Sequence, residues 1–90
     1  MSVVITRETV AEQLDAYLNR RISLAHLVDW AEHALCDNEL DAQHFELLRD
    51  ILARVGLADV REFGLSWDDC YDFLSELGYS VRVSTLPVAA

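Results

Sequence analysis

Lysine is missing from this 90-residue chain; its seven basic residues are all arginine, set against sixteen acids for a formal net charge of −9. A field of that sign repels nucleic acid phosphates and anionic lipid and attracts cationic partners. Cysteine is scarce. Cys36 and Cys70 form no CxxC and have no second pair, so neither a zinc cluster nor a disulfide framework is encoded. No apolar run approaches the roughly 18 residues of a membrane span. The start MSVVITRETV also has no basic leader ahead of a long apolar stretch. These absences predict a cytoplasmic protein that engages neither nucleic acid nor membrane. Proline occurs once, at Pro87, inside a stretch (86–90) read as a loose tail behind a single helical domain spanning residues 1–85.

What is present is a repeated phrase. An apolar residue, then Thr, Ser or Asp, then three mixed positions and another apolar residue recur as Ile5-Thr6 with Val10, Ile22-Ser23 with Leu27, Leu40-Asp41 with Phe45, and Leu65-Ser66 with Cys70. The short polar side chain can accept a hydrogen bond from an orphaned amide of the first helical turn, and the apolar pair can close as a hydrophobic staple. Helical periodicity then predicts helices over about residues 7–20 and 24–36, a third from Asp41 to Gly56 with Phe45 facing inward, and a fourth from Ser66 to Gly78. Gly56 is expected to end its helix with a positive φ, with Leu57 folding back onto Leu52. Leu57, Val60 and Phe63 suit a short 3₁₀ turn closed by Gly64. From Tyr79 the period becomes two, with Val81 and Val83 on one side and Arg82 and Ser84 on the other. Because Ser2 to Ile5 is also β-prone, the two chain ends are expected to pair as a short ribbon beside the helices. The fold class is thus mainly α, a four-helix single domain with a small β ribbon.

Catalytic and metal patterns are weak. His26, Asp29, His33 and Cys36 share the polar face of the second helix, but the two histidines stand two turns, about 10 Å, apart along the axis and cannot share an ion. No HExxH occurs. Asp68, Asp69 and Asp72 crowd the start of the fourth helix, where the helix dipole favours acids without any ligand. Ser23 and Ser66 occupy cap positions that consume their hydroxyls, and neither has a glycine-flanked elbow. His44 reads as a structural histidine. No cofactor, metal or enzymatic activity is expected from this inventory.

Charge distribution is the remaining signal. Between Arg21 and Arg49 there is no base, but there are Asp29, Glu32, Asp37, Glu39, Asp41 and Glu46. A second acidic group, Asp59, Glu62, Asp68, Asp69, Asp72 and Glu76, is interrupted only by Arg61. The expectation is a noncatalytic module that presents this acidic face to a basic protein, with Trp30, Trp67 and Tyr71 at the margins as anchors beside Asp68. The alternative is a self-associating structural or regulatory subunit, a homo-oligomer formed through the terminal strands or the Trp67 and Tyr71 margin.

The phrases ISLAHLVDWAEHAL (residues 22–35) and REFGLSWDDCYDFLSELGY (residues 61–79) resemble those of short helical bacterial proteins to which no activity is assigned. In size, charge and helicity the chain is also similar to the immunity proteins that neutralise nuclease bacteriocins, which extends the expectation to an immunity protein or antitoxin. The Tyr-Tyr-Pro segment that such proteins place at the nuclease interface has no counterpart here, so none of their binding residues carries over.

Overall fold

The computed structural model describes residues 4–60, 64–81, 85 and 87–88. Its elements run β1 (Val4–Ile5), α1 (Arg7–Leu18), α2 (Leu24–Asp37), β2 (Glu39–Leu40), a 3₁₀ turn (Ala42–His44), α3 (Phe45–Gly56) and α4 (Trp67–Glu76). The fold is mainly helical with one two-stranded ribbon, as the sequence predicts.

α1, α2, the 3₁₀ turn and α4 each begin where a capping side chain stands, whereas α3 follows the 3₁₀ turn without a side-chain cap. Thr6 Oγ1 accepts from Thr9 N at 3.3 Å, Ser23 Oγ from His26 N at 3.1 Å, Asp41 Oδ1 from Gln43 N at 3.1 Å and Ser66 Oγ from Asp69 N at 3.1 Å. At α4 the bond is reciprocated, since Ser66 N donates to Asp69 Oδ2 at 2.9 Å. Two orphan donors are satisfied there by one pair of side chains.

Three local expectations are corrected. Asp41 opens a 3₁₀ turn rather than α3 itself. Phe45 opens α3 in phase with Leu48 and Leu52, but it stands one turn before the first buried residue of that helix and is 47% exposed instead of buried. Gly56 stays in helical conformation; positive φ is confined to Arg20, Gly64 and Gly78 among the described residues. The end of α3 tightens through Leu57 N to Arg54 O and Ala58 N to Val55 O, leaving Leu57 exposed and burying Ala58. Finally, α1 stops at Leu18, so Arg20 and Arg21 lie beyond its last turn.

The ribbon has a different partner from the one expected. β1 pairs in parallel with β2, Val4 opposite Glu39 and Ile5 opposite Leu40, and Asp41 N continues the ladder to Ile5 O at 2.9 Å. Tyr79–Val81 form no strand, and the expected strand residues 82–84 lie outside the described residues, as do Ser2, Val3 and Phe63. A period-two pattern states that a segment can pair but not with what.

The core joins Ile5, Val10 and Leu14 to Leu27, Ala31 and Ala34 of α2, Leu48, Ile51, Leu52 and Val55 of α3, and Cys70, Leu74 and Leu77. The α2–α3 pair is the most extensive contact in the fold. Ala31 and Ala34, both fully buried, are small enough to let α3 close on them. α4 rests mainly on α1. Arg7 Nη1 fastens this pair by donating to the Leu77 carbonyl at 3.4 Å, a cation at the negative end of α4.

Candidate protein-interaction surface

With Leu27, Val28, Ala31 and Ala34 turned to the core, helical geometry leaves Ala25, His26, Asp29, Glu32, His33, Cys36 and Asp37 as one continuous exposed stripe. α2 contains no arginine, and among the described residues its carboxylates pair with a single histidine. His33 Nδ1 lies 2.8 Å from the Asp29 backbone carbonyl and 3.6 Å from Asp29 Oδ1. The carbonyl bond first, and the Asp29 carboxylate second, raise the His33 pKa above its ordinary 6.5, with smaller contributions from Asp37 and Glu32. Protonation is thereby favoured where the stripe is most acidic.

Beyond α2 the acidic run continues through exposed Glu39 in β2 and exposed Glu46 in the first turn of α3. Asp41 is half-buried and spends its carboxylate on the Gln43 amide. The run ends at Phe45 and Arg49, where the Arg49 guanidinium lies 5.8 Å from the Phe45 ring centre and bonds Asp50 at 3.3 Å. Leu35, Asn38, Glu39 and Leu40 share a shallow groove with Phe45 and Arg49. Phe45 is therefore the exposed aromatic that lies beside the α2–β2 acids, and the sequence pattern had assigned it to the core.

Of the three expected anchors, Trp30 is half-buried and packs against the core. Trp67 is 50% exposed and its ring stands 6.3 Å from that of half-buried Tyr71 at an interplanar angle of 57°. Trp67 shares a depression with Tyr17, Arg20, Arg21 and Ser23, so it neighbours bases of the α1–α2 turn. Asp68 is exposed beside it. Asp69 is held to the Ser66 backbone and side chain, which, with help from Arg54 at 3.6 Å, lower its pKa below 3.8. Glu62 and Arg61 of the second acidic group lie outside the described residues.

A third acidic row went unread in the sequence: Glu8, Glu12 and Asp15 are all exposed on α1 and line a groove floored by Ala11, Leu18, Leu74 and Val81. Their spacing of four and three was the available signal.

For chemistry, three of the nucleophile types, Ser23, Ser66 and Cys70, are engaged in caps or core. The Ser23 and Ser66 hydroxyls accept cap bonds, and burial, aided by Asp69, pushes the Cys70 thiol up to about 11, where it stays protonated near neutral pH. Cys36 is an exposed free thiol. Among the described residues no group of three or more His, Cys, Asp or Glu side chains is placed to hold a metal ion, and no helix is long and apolar enough to cross a membrane. Comparison with protein-family models, curated proteins and solved structures yields no match.

Proposed function

We propose that the chain is a noncatalytic protein-binding module that docks a basic protein partner on the acidic stripe of α2 and its continuation through Glu39 to Glu46. The observation that carries this reading is the unbroken exposure of Asp29, Glu32 and Asp37 on a helix without a single arginine. Such a field accelerates encounter with a cation-rich surface, and an exposed aromatic such as Phe45 supplies apolar area at the contact. An immunity protein or antitoxin, acting in the cytoplasm, is the kind of protein this reading describes. The commitment of Ser23, Ser66 and Cys70 to structure supports a role without catalysis.

The test is capture from the source cell, at low and high salt, on immobilised wild type and on the Asp29→Lys, Glu32→Lys, Asp37→Lys triple variant. A cationic protein should be retained by the wild type at low salt, released at high salt and lost on the variant. Retention of the same proteins by both baits would sink the reading.

A second reading, self-association, is favoured by the half-exposed Trp67 beside Arg20 and Arg21 on an otherwise acidic chain. Light scattering across a concentration series decides it, a strict monomer counting against it.

A further inference from the structure

We infer that the groove between α1 and the segment following α4 docks a cationic amphipathic segment of a partner protein, seating an apolar side chain on its floor and pairing basic side chains with Glu8 and Glu12. This deepens the protein-binding reading and rests on it, but uses no residue of the α2 stripe.

The floor is apolar. Ala11 and Leu74 are buried, and Leu18 and Val81 are half-buried, so an occupant would cover surface that water now reaches only in part. Tyr79, 41% exposed, also lines the groove. A volume of about 400 Å³ suits one or two side chains rather than a folded domain.

The rim sets the sign of the occupant. Among the described residues Glu8, Glu12 and Asp15 line the groove and no arginine does. Asp15 is already neutralised, bonded by Arg21 Nη2 at 2.6 Å and by Asn19 Nδ2 at 3.1 Å. Among the described residues Glu8 and Glu12 have neither a salt bridge nor a side-chain hydrogen bond. Two carboxylates one helical turn apart, without a partner among the described residues, thus overhang an apolar floor. A neutral apolar ligand would leave both unpaired, and an anionic one would be repelled. A second copy of this chain, at −9, would bring mostly like charge. Lysine or arginine flanking a leucine-sized residue satisfies floor and rim together.

The probe is an amphipathic peptide of Leu and Lys about 12 residues long, titrated into the ¹⁵N-labelled full chain, with Leu-to-Ser and Lys-to-Glu versions as controls. Amide shifts should centre on Ala11, Leu18, Leu74 and Val81. The Glu8→Lys, Glu12→Lys pair, both exposed, should weaken binding about tenfold or more, and the Asp29→Lys, Glu32→Lys pair less than about twofold. The Ser version should also bind about tenfold more weakly. Shifts centred on α2 with dependence on its acids would overturn the groove while leaving the protein-binding reading standing. Equal binding of the Ser version would reduce the contact to charge alone and overturn it. Binding of the Glu version would assign a merely apolar occupant, and concentration-dependent shifts without peptide would assign a second copy; either overturns it. Absence of binding by the Leu and Lys peptide overturns it too, and the capture experiment then judges the α2 reading separately.

Discussion

Arg54 Nη1 donates to the Gly64 carbonyl at 2.9 Å, while its Nη2 lies 3.6 Å from Asp69. One guanidinium on α3 thereby holds both the left-handed residue that precedes α4 and the acid that closes the cap of α4. α4 otherwise rests mainly on α1, and among the described residues this half-buried arginine ties it to α3.

Replacing Arg54 with Met removes a charged donor from a half-buried carbonyl. We expect a loss of about 1–2 kcal/mol, with amide hydrogen exchange accelerated more in residues 66–77 than in α2. Uniform acceleration across all four helices would refute the tie.

Ser66→Ala and Ser23→Ala delete the same hydroxyl from the same helix position. The Ser23 bond stands alone, whereas Ser66 anchors Asp69, which in turn faces Arg54. Caps cost about 0.5–2 kcal/mol when removed. Ser66→Ala should fall in the upper half of that range and Ser23→Ala in the lower, as read by urea denaturation.

Two helices end in the same six-residue motif with opposite residue choices. Arg21 N bonds Ala16 O and Arg20 N bonds Tyr17 O after α1, as Tyr79 N bonds Leu74 O and Gly78 N bonds Ser75 O after α4. The left-handed position is Arg20, φ 60°, in the first and Gly78, φ 94°, in the second. Arg20→Gly should therefore stabilise by about 0.5–1 kcal/mol. Gly78→Ala should destabilise by about 1–2 kcal/mol. Gly56→Ala, on helical backbone with Glu32 Cγ at a comfortable 3.8 Å, should stabilise by about 0.4–1 kcal/mol. Thermal melts of the three variants check the two gains and the one loss.

Because His33 is raised in the folded chain, its contribution to stability is fully present below about 6.5 and fades as pH rises through the raised value. Asp69, lowered in the folded chain, contributes above 3.8 and ceases to as pH falls through its lowered value. The Asp29 carbonyl outranks its carboxylate as a cause, so Asp29→Asn should lower the His33 pKa while leaving it above 6.5. An NMR titration of the His33 ring that returned to 6.5 in this variant would reverse that ranking.

Helix beginnings were readable in the sequence because a cap is a bond between residues two or three apart, written locally at Thr6, Ser23, Asp41 and Ser66. Endings were less so. Nothing near Arg20 announces a left-handed residue, and Gly56, the residue type that usually marks one, proved helical. The inward assignment of Phe45 failed because periodicity gives the face of a helix but not how far along it the core reaches, and β1 found β2 because strand pairing is decided by packing at long range. The exposed acids of α2 followed from its apolar period. The α1 groove did not, since its floor is assembled from α1, α4 and the segment behind it.

The parallel sense of the ribbon sets an order of assembly. Parallel neighbours cannot be joined by a tight turn, and the whole of α1 and α2 intervenes between Ile5 and Glu39. On a ribosome, the first strand must therefore wait unpaired until residue 40 has emerged, while the first two helices can already coil. Closing the ribbon thus follows the coiling of α1 and α2, and a bulky fusion at the amino terminus would burden that step before it troubled either helix.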